Sequence, residues 1–248
     1  MANVVVSLFS LLLCMAAGAQ GRKTLRLGHQ WLTSYPVIDD DVDGICKTMV
    51  ETQGYTCEEH KVYTCYRSVE STWQVTTQDG YILSLQRMPA GRSGKKADKP
   101  PVLLQHGIFS DASTWLVNSP DESFGFILAD NGYDVWLANV RGTKYSNGHK
   151  SLDTNDQAYW DWSWDELANY DLSAFVQYVY NYTGQTMHYA GHSLGTLMAL
   201  AALSQGERLK MLRSASLLCP IAHMNHISSL VTKIAADTFI ANVRDRRR

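Results

Sequence analysis

Short apolar runs alternate with longer amphipathic stretches along most of this chain. Runs typical of buried strands occupy residues 101–105, 133–138, 186–190 and 215–219. Patterns typical of helices lie between them, at residues 122–131, 163–184 and 193–206. Strands that alternate with helices at this spacing predict an α/β fold, with a largely parallel sheet covered on both faces.

The helix predicted at residues 163–184 carries two independent signals. Ser163 and Glu166 have the spacing of a capping box, and Gly184 follows the last helical residue. An apolar stripe repeats every three or four residues and consists of Ala168, Leu172, Phe175, Val176 and Val179. This spacing gathers the stripe on one helix face, which we expect to pack against the sheet.

Upstream of the first apolar run, residues 74–88 alternate between apolar and polar positions. A turn at residues 78–81 separates two β-rich runs, which predicts a hairpin at one edge of the sheet. Residues 90–101 are rich in glycine and lysine and are predicted to form a surface loop.

Composition limits the class of protein. The chain has 248 residues, 45% of them hydrophobic and 19% charged, with a formal net charge of −2. These values are typical of one globular domain with a sizeable core. Near-neutral charge argues against nucleic acid as a partner. The one basic run, residues 244–248, is interpreted as a solvated tail.

The N-terminus has the pattern of a secretory signal peptide. An apolar segment at residues 4–17 precedes the small residues Ala17, Gly18 and Ala19, so we expect cleavage after Ala19. A buried N-terminal helix is the alternative. The segment is too short to span a bilayer comfortably, and no later stretch is long enough. The mature chain is expected to be soluble, in the lumen of the secretory pathway, a vacuole or lysosome, or outside the cell.

The cysteines fit an oxidising compartment. Cys46 and Cys57 are the expected disulfide, since they close a short loop, and Cys14 would leave with the signal peptide. No cysteine spacing resembles a zinc site, so no metal is expected. Asn181 begins an Asn-Tyr-Thr sequon after the predicted helix and is a candidate glycosylation site.

The strongest chemical signal is the pentapeptide Gly191-His192-Ser193-Leu194-Gly195. It lies between a predicted strand and a predicted helix, which is the setting of a nucleophile elbow. A serine in so sharp a turn is exposed, its flanking glycines avoid collisions, and the helix N-terminus favours an oxyanion. An ordinary glycine-rich turn is the alternative.

Besides this elbow, further motifs lie at residues 75–83, 104–108, 113–115, 126–137, 139–142, 162–171 and 219–222. Together they resemble the acid lipases of the α/β-hydrolase fold, a family of gastric, lysosomal and secreted plant lipases. The resemblance spans roughly residues 38–240. It implies an α/β-hydrolase fold whose mostly parallel sheet is flanked by helices.

The resemblance also implies roles for individual residues. Ser193 would be the nucleophile, and the backbone amides of Leu194 and Ile108 would form the oxyanion hole. The position of Ile108, in the loop after the preceding strand, points to the same role independently. His106 is expected to anchor this loop through hydrogen bonds, and His192 to be a packing residue.

An aromatic group follows at Tyr159, Trp160, Trp162 and Trp164. Two interpretations stay open for it. The rings would line a cleft for acyl chains, or they would wedge a loop onto the core.

The chain departs from the family after the elbow. The catalytic acid and histidine of this fold follow the nucleophile, but only 55 residues follow Ser193. We therefore expect the lid, the last sheet strands and the loops of the catalytic acid and histidine to be missing, which would leave an apolar sheet edge unpaired. His223, His226 and Asp237 stand in the reverse of the usual order, so ordinary loop roles are favoured over an improvised triad.

Two segments lack a counterpart in the family, an apparent insertion at residues 61–73 and the tail at 243–248. Retained intron sequence, an imperfect gene model or a genuine splice form would each explain them. The expected organisation is a signal peptide at 1–19, an N-terminal extension at 20–73, a partial hydrolase domain at 74–242 and a basic tail at 243–248.

The expected function is hydrolysis of triacylglycerol-like lipid esters at a lipid–water interface, through a serine nucleophile and without a cofactor. The alternative is a truncated, inert homologue that binds lipid or a partner, or a non-functional fragment. The sequence leaves open whether this chain is active.

Overall fold

A computed structural model describes residues 3–5, 44–62, 77–205 and 210–222. Eight strands occur in this part of the chain: β1 (Asn3–Val5), β2 (Glu58–Val62), β3 (Tyr81–Met88), β4 (Lys99–Gln105), β5 (Tyr133–Asn139), β6 (Gly148–His149), β7 (Met187–His192) and β8 (Leu212–Leu218). Its α-helices are α1 (Phe124–Asp130), α2 (Trp164–Glu166), α3 (Leu172–Thr183) and α4 (Leu194–Ser204). A π-helical turn, Leu167–Asp171, joins α2 to α3.

The strands form one sheet in the order β1-β8-β7-β4-β5-β3-β2, with β6 paired to β3. The pairs from β1 to β5 along this order are parallel, and β3 is antiparallel to β5, β2 and β6. The predicted α/β fold with a mostly parallel sheet is confirmed.

The two faces of the sheet carry separate clusters of buried side chains, because successive strand residues point to opposite faces. Leu103 and Trp136 belong to the cluster formed with α3 and α4. Val102 and Leu104 belong to the cluster formed with α1. Helices therefore cover both faces of the parallel strands, and the strand ends are left to carry loops.

The predicted elements are found close to their expected positions. The capping box at Ser163 is formed, and Glu166 Oε2 accepts a hydrogen bond from the Ser163 amide at 2.7 Å. All five residues of the predicted stripe are buried. The strand predicted at residues 101–105 begins two residues earlier, because the Lys99 amide donates to Gly132 O and so shortens the predicted loop.

The predicted hairpin needs a correction. Its turn is present, since the Thr77 amide donates to Tyr81 O and the Gly80 amide to Thr77 O, and residues 74–76 lie outside the described part. However, β3 pairs with both β5 and β2, so the edge strand is β2. The sequence Glu-Glu-His-Lys-Val of β2 lacks an apolar alternation, which explains why the pattern missed it.

Part of the predicted N-terminal extension contributes to the same core. Ile45, Val50 and Tyr55 are buried in the cluster that contains α1. A disulfide joins Cys46 and Cys57, whose Cα atoms are 5.3 Å apart. This segment is thereby tied to β2 and to the sheet.

Strand β1 lies beside β8 and pairs with it at Ser214–Ser216. The sheet edge that was expected to be unpaired is thus covered by β1 over these three residues. Cleavage after Ala19 stays a prediction, since residues 6–43 lie outside the described part, as do residues 63–76 and 223–248.

Candidate active site

Ser193 occupies a single-residue turn between β7 and α4. Its backbone has φ 51° and ψ −107°, a conformation that few residues other than glycine adopt. Its amide donates to Leu218 O at 3.0 Å, and its carbonyl oxygen accepts from the Thr196 amide at 2.9 Å. The end of β8 and the first turn of α4 thus hold the strained turn in place, and the side chain stays only partly buried.

The two flanking glycines let α4 pack tightly on the strand ends. A Cβ atom on Gly191 would lie 2.8 Å from the Gly195 carbonyl oxygen. A Cβ atom on Gly195 would lie 2.8 Å from Gln105 O. Both obstacles are backbone atoms of packed elements, so a side chain at either position would displace the turn.

Tyr189, on β7, stabilises the same turn through its side chain. Its ring is buried, and its hydroxyl donates to Gly195 O at 2.7 Å. Burial raises the pKa of Tyr189, which keeps the hydroxyl protonated and able to donate. No local pattern pointed to this contact, although Tyr189 lies in the predicted strand.

The loop after β4 passes directly beside Ser193. A Cβ atom on Gly107 would lie 3.2 Å from Ser193 Cβ and 3.0 Å from His192 Nδ1. The next two side chains point into solvent, with Ile108 58% exposed and Phe109 90% exposed. The backbone of Ile108 therefore directly follows a residue that lies beside the serine.

His106 anchors the loop, as predicted. Its Nε2 atom accepts from the Val140 amide at 3.3 Å, so the proton lies on Nδ1, which donates to Gly107 O at 2.8 Å. Burial lowers the pKa of His106, which favours this neutral form. Both ring nitrogens are occupied by structural hydrogen bonds, and proton transfer is left to another group.

His192 packs against the loop from the other side of the turn. Its Nδ1 atom is buried and has no hydrogen-bond partner within the described part of the chain. Burial lowers the pKa of His192. These features are those of a neutral packing residue.

The three residues considered for an improvised triad, His223, His226 and Asp237, lie outside the described residues. Within the described ranges, the structure brings together Ser193, the start of α4 at Leu194 and the loop that contains Ile108. No group of three or more histidine, cysteine or acidic side chains in this part is arranged to hold a metal ion.

The aromatic group packs on the corner that follows β5. Tyr159 is fully buried, and Tyr81 donates a hydroxyl hydrogen bond to its carbonyl oxygen. A Cβ atom on Gly142 would lie 2.9 Å from the Trp162 ring and 3.0 Å from the Trp160 ring. Tyr159 and Trp162 therefore favour the interpretation that the rings wedge a loop onto the core, whereas Trp160 and Trp164 are exposed.

A buried ion-pair cluster around Arg141 was missed by the sequence reasoning. Arg141 donates to Asp171 from its amide at 2.9 Å and from Nε at 2.8 Å, and to Asp79 from Nη2 at 2.9 Å. Burial alone would lower the pKa of Arg141, but the two carboxylates outweigh it and raise this pKa. A charged residue two positions after a buried strand was the available signal.

Asn181 lies in the last turn of α3, not after the helix as predicted. Its side chain is exposed, and its Oδ1 atom accepts from Gln177 Nε2 at 2.7 Å. None of the described helices is both long and apolar enough to cross a membrane.

Two family models match the chain. The first, a partial α/β-hydrolase lipase region, matches residues 68–119, and the second, the α/β-hydrolase fold, matches residues 100–244. The resemblance to the lipases that the motifs indicated is confirmed.

Curated relatives support the same resemblance. Triacylglycerol lipase 2 of Arabidopsis thaliana is 45% identical over 202 residues, which cover 80% of this chain and 45% of the relative. Triacylglycerol lipase 1 of the same plant is 44% identical over 76% of the chain and 44% of its own length. Lysosomal acid lipase/cholesteryl ester hydrolase of Macaca fascicularis is 43% identical over 64% of the chain and 41% of its own length. The chain thus spans less than half the length of these relatives.

Proposed function

Because the chain belongs to the α/β-hydrolase family, we propose that it supplies the nucleophile of a serine ester hydrolase acting on triacylglycerol-like lipid esters. The observation that carries this proposal is the strained turn of Ser193, which β8 and α4 hold beside the loop after β4. A serine in an ordinary glycine-rich turn would not need this conformation.

In the proposed reaction, Ser193 Oγ attacks the ester carbonyl carbon and the C=O electron pair moves onto oxygen. The amides of Leu194 and Ile108 donate hydrogen bonds to that oxyanion. Loss of one such donor typically lowers kcat by about 10²–10³. Collapse of the tetrahedral intermediate releases the alcohol and leaves an acyl-enzyme, which water then hydrolyses.

This chemistry also needs a base to take the serine proton and return it to the leaving alcohol. His106 and His192 have structural surroundings, so neither is assigned as this base. Acyl transfer of this kind needs neither a metal nor an organic cofactor.

The lipid substrate is inferred from two observations. The relatives named above are lipases by name. In addition, the exposed side chains of Ile108 and Phe109 lie in the loop beside Ser193 and offer an apolar surface to acyl chains. The proposed place of action is a lipid–water interface.

We place the reaction in the lumen of the secretory pathway, a vacuole or lysosome, or outside the cell. The disulfide between Cys46 and Cys57 supports an oxidising compartment. The exposed sequon at Asn181 is accessible to a glycosyltransferase. The signal peptide at residues 1–19 belongs to this proposal.

A fluorophosphonate probe tests the nucleophile directly. The purified chain should be labelled stoichiometrically at Ser193, and Ser193→Ala should abolish labelling and hydrolysis of a short p-nitrophenyl ester. Ser93→Ala, in an exposed loop, is the matched control and should change neither. A folded chain that reacts with neither probe nor ester would instead favour an inert lipid-binding homologue.

A further inference from the structure

A directed chain of hydrogen bonds crosses the sheet and ends in the loop beside Ser193. The Ala112 amide donates to Asn139 Oδ1 at 3.0 Å, and Asn139 Nδ2 donates to Gln86 Oε1 at 2.8 Å. Gln86 Nε2 then donates to Glu59 Oε2 at 3.0 Å. This series of hydrogen bonds runs from the loop after β4 through β5 and β3 to the edge strand β2.

The donor-to-acceptor direction of this hydrogen-bond series is determined by the groups at its two ends. The backbone amide of Ala112 can only donate, and the carboxylate of Glu59 can only accept. The side-chain amides of Asn139 and Gln86 between them can therefore satisfy all their neighbours in one orientation only. Hydrogen bonds aligned in this way strengthen one another.

Asn139 and Gln86 are fully buried, which makes their polar groups costly unless they are paired. Apolar residues of the same size would pack equally well in a sheet interior if packing alone mattered. Two buried side-chain amides joined in series point to a requirement for the bond that they deliver to Ala112.

The hydrogen bond from Ala112 to Asn139 fixes the end of the loop after β4, and a second hydrogen bond fixes its start. His106, at the start of the loop, accepts from the Val140 amide, and Asn139 accepts from Ala112 at the end. Both anchors lie at the same corner, where β5 ends. The loop between them contains Ile108 and Gly107, where an added Cβ atom would lie 3.2 Å from Ser193 Cβ.

The series of hydrogen bonds ends at Glu59, next to the segment that the disulfide closes. Glu59 follows Cys57 by two residues, and its second carboxylate oxygen accepts from the Cys46 amide at 3.4 Å. Glu59 on the edge strand is thus held in place as the last acceptor of the hydrogen-bond series.

We infer that Asn139 and Gln86 are positioning residues that hold the loop of residues 106–112 against Ser193. They touch neither the serine nor the place of the substrate and act through the Ala112 amide. Their effect on catalysis rests on the proposed function, whereas their effect on the loop does not.

Hydrogen exchange of the loop amides tests the inference without any need for activity. In Asn139→Leu and Gln86→Met, exchange of residues 107–112 should accelerate about tenfold, the effect expected when one hydrogen bond is lost. Gln177→Met, which removes an exposed side-chain amide from α3, is the matched control and should leave the loop unchanged.

Kinetics on a short p-nitrophenyl ester supply the second measurement. The two variants should lower kcat and the rate of fluorophosphonate labelling about tenfold with little change in KM, because a displaced amide stabilises the oxyanion less. If Asn139→Leu does not fold, Gln86→Met and the surface change Glu59→Ala carry the test.

Unchanged loop exchange in a folded Gln86→Met protein would overturn the inference. So would faster exchange in that variant with no change in labelling rate. An unsubstituted chain that is never labelled would refute the proposed function alone, and the exchange measurement would still decide whether these side chains hold the loop.

Discussion

At the scale of single residues, the site depends on a backbone conformation that its surroundings impose. A strained residue of the kind seen at Ser193 costs on the order of 1–3 kcal/mol and persists only where neighbouring contacts hold it. Those contacts come from Leu218 O, the first turn of α4 and the Tyr189 hydroxyl. The glycines at 191 and 195 let these parts approach closely enough.

Gly195→Ala should destabilise the turn at Ser193, because the added methyl group has no room. The new Cβ would lie 2.8 Å from Gln105 O, a backbone atom of the central strand β4. We expect a loss of about 1–3 kcal/mol in the free energy of unfolding. Urea denaturation gives this value, and probe labelling at Ser193 should fall with it.

Gly94→Ala is the control for that change. Gly94 has φ 73°, and a Cβ atom there meets no other atom within 4 Å, so only backbone strain is added. Labelling that survives in Gly195→Ala as well as in Gly94→Ala would show that α4 can shift without harm to the turn.

At the scale of secondary structure elements, the sequence predicted the helices and strands whose buried faces produce a periodic apolar pattern. The stripe from Ala168 to Val179 marked the helix, and the apolar runs marked β4, β5, β7 and β8, because burial on one or two faces fixes those patterns. The charged edge strand β2 has no such pattern. The place of β3 inside the sheet depends on β2 and was therefore misjudged.

The candidate site likewise has parts that the sequence predicted and parts that it did not. Ser193 and the loop at Ile108 were located because their chemistry follows from a local motif. The partners of Asn139 could not be found, since Gln86 is 53 residues away from it along the chain. The partners of Arg141 are 62 and 30 residues away. Side-chain bonds over such separations follow from the fold and leave no local pattern.

Arg141 joins three elements, and its removal should be costly. Arg141→Met would leave Asp171, which is fully buried, as an unpaired charge. We expect the free energy of unfolding to fall by about 3–5 kcal/mol, the usual effect of breaking a buried pair. The midpoint of urea denaturation measures the change.

Arg92→Met offers a matched comparison. Arg92 also pairs with two carboxylates, those of Asp121 and Asp130, but it does so in contact with water. Its replacement should leave the midpoint nearly unchanged. Equal losses in the two variants would contradict the role assigned to burial.

At the scale of the whole molecule, one buried and three partly buried histidines link stability to pH. Burial lowers the pKa of His60, His106, His188 and His192 below the ordinary value. Between the folded and unfolded pKa values, the unfolded chain binds more protons than the folded chain. The stability that these neutral histidines contribute is therefore fully present above about pH 6.5 and is lost as the pH falls below it. Burial raises the pKa of Asp171 from 3.8 to about 6, so this carboxyl acts in the opposite sense and adds stability as the pH falls below about 6.

His106→Asn isolates one part of this dependence. The Asn side chain has a donor near the position of Nδ1 for Gly107 O, and it does not titrate. The slope of unfolding free energy against pH, measured by urea denaturation from pH 7.5 to 5, should become shallower by up to about 1.4 kcal/mol per pH unit. An identical slope in both proteins would mean that His106 is protonated in the fold as readily as in the unfolded chain.

The exposure of Phe109 has a consequence for limited proteolysis. Its ring is 90% exposed at the tip of a loop whose two ends are fixed. Chymotrypsin-like proteases cut after aromatic residues, and they act first where the backbone is accessible. A first nick after Phe109 would mark an uncovered tip, and resistance at that bond would mark a tip shielded by bound lipid or by another polypeptide segment.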